Sequence, residues 1–275
     1  MIEEKAYAKV NLMLRITGVS GDYHNLETIM APIDVYDELR FEKREDDEFY
    51  VHGLDNIPDN SLLKAAKLFQ EKYQIKGADI YIEKKIPIAA GLGGGSADSS
   101  ATLRGLNRLY ELNKPLKELE ELTNQLGSDN TFCLYNKAAL CYGRGNVIYF
   151  LDFDFELQAL LISPPIKIST GEVYDKWRMA DMEYNLDDVI TSIKKQNYAR
   201  LDKILFNDLL YPLTLKHPEI GHALNIALTF NVLPHLSGSG SSFFVLSPDT
   251  EYLKQVSSMI DERTLSQIIK IKSSC

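Results

Sequence analysis

The chain has 275 residues, 45% hydrophobic and 25% charged, and its 39 acidic against 30 basic residues give a formal net charge of −9. This length supports a buried core in one large or two smaller domains, and the acidic balance argues against a general nucleic-acid binder, which needs a basic surface. No stretch approaches the ~20 apolar residues of a membrane span, the acidic start "MIEEKAYAKV" lacks the apolar segment of a signal peptide, and Cys133, Cys141 and Cys275 form neither a disulfide framework nor a C-x-x-C metal site. A soluble cytoplasmic protein with reduced thiols is expected.

Residues 5–17, "KAYAKVNLMLRIT", alternate cleanly. Ala6, Ala8, Val10, Leu12, Leu14 and Ile16 fall on one face, with Tyr7, Lys9, Asn11, Met13 and Arg15 on the other. The pattern predicts a half-buried strand with Lys9 and Asn11 adjacent on its less apolar side. The turn "GVSGDYHN" leads to a second strand through "TIMAPIDVYDELRFEK", and a short strand follows at "EFYVHG". "NSLLKAAKLFQEKYQ" has helical periodicity, with Asn60 as its default N-cap. "ADIYIEKKIPI" returns to strand, and a glycine loop then opens a helix through about Tyr110.

"PLKELEELTNQLG" is a further helix, with Pro115 opening it and Gly127 closing it. "KAALCYGRGNVIYFL" and "FELQALLISPP" have strand character. The remainder is mostly helical, clearest at "PEIGHALNIALTF", before "LPHLSGSGSSFFVLS" supplies a second glycine turn and an apolar strand. A helix, "TEYLKQVSSMIDE", and a strand, "SQIIKIKS", complete the pattern. The elements do not alternate strictly as βαβα, so the expected class is α+β. The double proline in "LLISPPIKIST" suggests a division into 1–155 and 156–275.

The glycine loop "IPIAAGLGGGSADSSATLRGLN" carries the strongest chemical signal. It is not a P-loop, because no glycine precedes Lys-Ser or Lys-Thr at the required spacing. Nor is it the dinucleotide fingerprint: after Gly91 and Gly93 the third glycine is replaced by Ser96. The physics of anion binding nevertheless remains. Gly91, Gly93, Gly94 and Gly95 let the backbone approach a ligand, the following helix aims free N–H groups at it, and Ser96 and Ser99 add hydroxyls. The second turn, Gly238-Ser239-Gly240, can form a smaller nest of amides. A purely structural tight turn is the competing explanation for each loop.

In order, "KVNL", "IPIAAGLGGGSADSS" and "LSGSGSSFF" resemble the motifs of the GHMP kinase superfamily of small-molecule kinases, over most of the chain. The segments "DYHNLETI", "LGSDNTF", "GRG" and "FNDL" resemble the branch whose acceptor is cytidine-diphosphate-linked methylerythritol, in non-mevalonate isoprenoid synthesis. The resemblance implies a two-domain α+β fold with the active site in the interdomain cleft, ATP with Mg²⁺, and a small-molecule alcohol as acceptor. Residues 1–155 would be the ATP-binding domain and 156–275 the substrate side.

By the same resemblance, Asp129 would be the catalytic base and Lys9 would stabilise charge on the transferring group. Asn60, Pro87, Gly91, Gly93, Gly94, Gly95, Ser96 and Ser99 would bind ATP. Asn11, Gly238, Ser239 and Gly240 would face the acceptor, with Tyr23, His24 and Tyr174 around its cytosine.

Two departures stand out. The superfamily branch usually reads G-A-D-V-P-F where this chain has Gly127-Ser128-Asp129-Asn130-Thr131-Phe132, and losing the proline would loosen the turn that aims Asp129. "DGYH" appears as Gly21-Asp22-Tyr23-His24, which would shift the cytosine-binding turn. A kinase for another alcohol, such as homoserine or mevalonate, or a binding protein without turnover, remain the alternatives at this point. No zinc-type histidine spacing and no G-x-S-x-G elbow point to other chemistry.

Overall fold

The structure is a computed structural model that describes residues 1–21, 23–54, 61–179, 183–218, 220 and 233–275. The predicted helix at 218–230, the N-cap Asn60 and the exchanged Asp22 lie wholly or mostly outside these residues. The chain forms two compact units. One gathers Met1–Lys9, Val35–Ile86 and Gly93–Asn136; the other gathers Val10–Asp34, Pro87–Leu92 and Lys137–Cys275.

The first unit is built on the distal half of β2 (Tyr23–Lys43), β3 (Phe49–His52) and β4 (Ala78–Glu83). β2 and β4 pair antiparallel from Glu38↔Glu83 to Lys43↔Ala78, and β3 runs parallel to β4. Four helices, α1 (Ser61–Tyr73), α2 (Gly94–Leu109), α3 (Leu116–Leu126) and α4 (Asn130–Tyr135), pack with one another. Their apolar stripes bury Phe69, Leu103, Leu106, Leu119, Leu122 and Phe132 with Phe41 of β2. Each such side chain contributes about 1.5–3 kcal/mol relative to exposure.

In the second unit, β10 (Leu265–Lys272) lies antiparallel between β7 (Glu156–Ser163) and the proximal half of β2, which it meets at Ile271↔Ile33. β9 (Phe243–Leu246) pairs with β7 and with the short β8 (His235–Leu236). β5 (Ala139–Gly143) pairs with β2 on one side and β6 (Val147–Phe150) on the other. The segment 137–151, expected to have strand character, forms a hairpin, turned where Gly143 and Gly145 adopt positive φ.

Among the described residues the helices here are α5 (Thr170–Tyr174), α6 (Leu186–Lys194), α7 (Tyr198–Ile204), α8 (Leu210–Lys216) and α9 (Thr250–Ser258). One cluster joins Leu14, Ile16, Val173, Trp177, Leu213 and Phe243. A second sets Leu160, Ile162 and Val245 against Leu253 and Val256 of α9.

β1 (Ile2–Ser20) departs from the half-buried pattern its alternation predicts. From Ala8 to Leu14 both faces are buried, including Lys9 and Asn11. Buried polar groups on a strand require partners, and both find them in the arrangements that follow. The mixed α+β architecture agrees with the expected class.

Candidate active site

In the first unit, α2 begins directly at the glycine loop. Gly93 takes a left-handed φ of 71°, and no side chain caps the helix; its first turn also contains no acidic residue. The leading N–H groups are left open to an anion. A Cβ on Gly93 would stand 3.0 Å from the Lys9 side chain. Glycine thus admits the methylene stem of Lys9 past the start of the helix.

Lys9, 4% exposed, directs its Nζ to Asp129 Oδ2 at 3.3 Å. Asp129 precedes α4 yet caps no N–H there, so its carboxylate is spent on Lys9 and solvent. The Ser96 hydroxyl makes no hydrogen bond among the described residues, while Ser61 Oγ donates to Gly95 O at 3.2 Å. Ser99 is buried and its hydroxyl is committed: it donates to Gly95 O at 2.9 Å and accepts from Asn130 Nδ2 at 2.6 Å.

Asn130 was visible in the sequence only as a departure from the branch pattern, and it proves to be a tie. Its amide also reaches Ser96 O at 3.3 Å, and its carbonyl accepts from Ser100 Oγ at 2.8 Å. Thr131, at the position of the missing proline, shares a 2.9 Å hydrogen bond with Thr123 of α3. The expected loosening around Asp129 is therefore offset by side-chain hydrogen bonds to α2 and α3, each worth about 1 kcal/mol.

Beside the loop, Lys84 lies between two carboxylates, at 2.5 Å from Asp37 Oδ2 and 2.6 Å from Asp98 Oδ2. Asp37 also accepts the Lys85 and Ile86 N–H groups. Asp98 accepts from Lys84 through Oδ2, and its buried Oδ1 has no hydrogen-bond partner among the described residues. One ammonium cannot neutralise both. Burial, opposed by Lys84 and reinforced by Asp37, pushes the Asp98 carboxyl up to about 7.

The folded state therefore keeps a proton that the unfolded chain releases near pH 4. The stability contributed by this group is complete below pH 4 and is lost as pH rises through about 7. Asp98→Asn, which mimics the protonated acid, should flatten the pH 4–7 slope of unfolding free energy. It should be at least as stable as the parent above pH 7. An unchanged slope in urea titrations would reject this assignment.

In the second unit, Asn11 donates to Thr28 Oγ1 at 2.8 Å, and Thr28 in turn donates to Met13 O at 2.6 Å. The Asn11 Oδ1 lies 3.6 Å from the position of a Cβ on Gly238, so Asn11 and the second glycine turn are neighbours. Ser239 shares a 3.0 Å hydrogen bond with Thr170. Gly91 (φ 76°) belongs to this arrangement: a Cβ there would come within 2.3 Å of Ser237 O. Its lack of a side chain serves the packing of one glycine turn on the other. Pro87 begins the same segment and is half-buried.

The aromatic residues are only partly brought together. The His24 ring lies 5.0 Å from Tyr174 and 5.7 Å from Trp177. Tyr23 is 55% exposed and carries the Arg144 guanidinium 4.4 Å from its ring centroid. Trp177 and Arg144 escaped the sequence analysis; both lie beside residues it named, in "VYDKW" and "GRG". Elsewhere in this unit, Glu27 is held by Tyr142 at 3.3 Å and by Tyr184.

Comparison with known proteins gives these features a class. The model for the GHMP kinases N terminal domain matches residues 60–137. A crystal structure of 4-(cytidine 5'-diphospho)-2C-methyl-D-erythritol kinase superposes with a TM-score of 0.82 at 27% identity, covering 98% of this chain and 99% of its own. Homoserine kinase from Cytophaga hutchinsonii shares the fold at a TM-score of 0.72 and 17% identity, over 99% of this chain and 96% of that one. The architecture is thus that of the GHMP small-molecule kinases.

Proteins from two Staphylococcus aureus strains, bovine RF122 / ET3-1 and Newman, are provisionally named 4-diphosphocytidyl-2-C-methyl-D-erythritol kinases. Each is 38% identical to this chain over 265 residues, covering 93% of it and 94% of the relative. The chain belongs to the 4-diphosphocytidyl-2-C-methyl-D-erythritol kinase family.

Proposed function

We propose that this protein transfers the γ-phosphoryl group of ATP to a hydroxyl of the methylerythritol moiety of 4-diphosphocytidyl-2-C-methyl-D-erythritol. The observation that carries the chemistry is the Lys9–Asp129 ion pair at 3.3 Å, with the Lys9 stem against the uncapped, glycine-led start of α2. Phosphoryl transfer asks a protein mainly for positioning and charge stabilisation. Asp129 accepts the proton of the attacking hydroxyl. Lys9 supplies positive charge to the transferring group.

The α2 N–H groups and the Ser96 hydroxyl hold the ATP phosphates, while Ser99 supports that turn through Asn130. Asn60 and Pro87 are assigned to the nucleotide by family resemblance. The four glycines Gly91, Gly93, Gly94 and Gly95 let the chain pass close to the nucleotide. Asn11, Gly238, Ser239 and Gly240 hold the acceptor. Tyr23, His24 and Tyr174 receive its cytosine, where stacking on an aromatic ring contributes roughly 1–3 kcal/mol per base. The segment 1–155 supplies most nucleotide contacts in this scheme, and 156–275 much of the acceptor side.

Magnesium fits this site as an ion carried on the nucleotide. No cluster of three or more His, Cys, Asp or Glu suited to a metal occurs among the described residues, whereas Mg²⁺ characteristically binds substrate phosphates and few protein oxygens. The Ser96 hydroxyl, without a hydrogen bond among the described residues, would join it. When bound, the ion neutralises charge on the phosphates.

No helix among the described residues is long and apolar enough to cross a membrane. The three cysteines are free thiols, which suits the reducing cytoplasm.

The direct test is ADP release from MgATP with the cytidylated acceptor, compared with methylerythritol 4-phosphate, mevalonate and homoserine. Turnover confined to the cytidylated compound is expected. Equal or better turnover on another alcohol would sink the assignment of the cytosine site, and ATP binding without turnover on any acceptor would sink the catalytic one.

A further inference from the structure

Phe206-Asn207-Asp208-Leu209 occupies the short connection between α7 and α8 and is stitched to β1 like an added strand. Leu14 N–H donates to Phe206 O at 3.0 Å, Asp208 N–H donates to Leu14 O at 2.9 Å, and Asp208 Oδ2 accepts Ile16 N–H at 2.8 Å. Arg15 adds an ion pair to Asp208 at 3.6 Å. Within this fixed frame the Asn207 side chain faces the second glycine turn. Its amide gives one hydrogen bond to Leu236 O at 3.0 Å and another to Gly238 O at 2.9 Å, and its Oδ1 accepts Leu209 N–H at 2.9 Å.

We propose that Asn207 is a positioning residue for the acceptor: by holding the Gly238 carbonyl, it presents the Ser239 N–H to the substrate. In a trans peptide the C=O and the following N–H point in opposite directions. Gly238 O is drawn to Asn207, so the Ser239 N–H faces away from Asn207. Among the described residues that N–H makes no hydrogen bond. Two amides of the turn are committed, Ser237 N–H to Ser242 O and Gly240 N–H to Ser237 O, both at 3.0 Å. The opposite side of the turn is secured as well, with Ser237 Oγ on Gly91 O and Ser242 N–H on Ala90 O, each at 3.0 Å. Asn207 therefore sets the orientation of an open donor in a turn whose Ser237, Gly240 and Ser242 amides are held. No other side chain hydrogen-bonds the Gly238 carbonyl among the described residues.

This inference rests on assigning the 238–240 turn to the acceptor, so its test separates the two. Asn207→Asp keeps the size and the acceptor oxygen but removes both donors. It should raise KM for the cytidylated acceptor about tenfold, the equivalent of one lost hydrogen bond of about 1.4 kcal/mol, and leave KM for ATP within roughly twofold. A merely structural defect would shift both constants together. In the wild-type protein, adding acceptor should move the Ser239 amide resonance. Gly238→Ala is the control on the turn itself, since its φ of 57° and the Gly91 carbonyl 3.0 Å from the added Cβ both resist a side chain.

Asn207 has no positioning role if Gly238→Ala raises the acceptor KM and Asn207→Asp does not, or if Asn207→Asp moves both constants alike. An acceptor KM unmoved by either substitution, with a silent Ser239 amide, removes the acceptor from this turn and the proposal with it. Asn207→Ser, read in the same way, takes over should Asn207→Asp fail to fold.

Discussion

Asp129→Asn is expected to lower kcat by about 10²–10⁴, the usual contribution of a positioned general base, while ATP still binds. The substitution is clean in structural terms. The Asp129 carboxylate caps no helix, so the start of α4 loses no hydrogen bond, and the amide oxygen remains able to accept one from Lys9. The cost to the fold is confined to replacing an ion pair with a neutral hydrogen bond at a group whose side chain is 32% exposed. Steady-state kinetics beside a nucleotide-binding isotherm would separate the effects. A kcat within tenfold of wild type would place the base elsewhere. Lost ATP binding would mean that Asp129 chiefly shapes the nucleotide site.

The second large effect is one of stability. Asp37 is fully buried and holds three donors: the Lys84 ammonium and the N–H groups of Lys85 and Ile86. Asp37→Ala should destabilise the protein by about 3–5 kcal/mol, because it strips the Lys85 and Ile86 N–H groups of their acceptor and opens a cavity beside Lys84. Asp37→Asn should cost less than half as much. It retains an acceptor for the two backbone groups and leaves Lys84 and Asp98 as a balanced pair. With the Asp37 charge gone, the carboxyl of Asp98 should also titrate lower, because that charge contributes to its upward shift. Urea unfolding at pH 7.5 measures both variants. A loss below 1 kcal/mol for the alanine would show that water or local rearrangement replaces the carboxylate.

The parts of the site legible in the sequence were those written in local chemistry. Glycines and serines before an apolar helix announce an anion-binding turn whatever the rest of the chain does, and the structure leaves the start of α2 uncapped. The pairing of Lys9 with Asp129 was accessible only through family likeness, since no periodicity links residues so far apart. The 127–132 turn was misleading in isolation: losing the proline at Thr131 read as a loosening, and only the proximity of α2 and α3 makes Asn130 and Thr131 ties.

The Lys84–Asp37–Asp98 cluster is illegible for the same reason. Its members come from β2, the residue after β4 and the second turn of α2, and charged residues in amphipathic elements ordinarily face water. A local signal did exist for the hairpin at 139–150. "GRGN" between two apolar runs is turn chemistry, outweighed by the strand character on either side. The burial of both faces of β1 could not be read from alternation, which tells which residues share a face but not what covers it.

The division of the chain between its units also bears on how the protein forms during synthesis. All residues of the first unit have been made once Asn136 is added. The second unit contains residues 10–34, yet the strand that joins β7 to them is β10, Leu265–Lys272. Residues 26–30 can pair with β5 once Gly143 has been made, but Ile33 and β7 wait, through most of translation, for β10. Non-local pairings of this kind are slow to close and leave strand edges exposed in the interim. The ribosome thus delivers a first unit able to fold early and a second whose sheet cannot be completed until β10 has emerged.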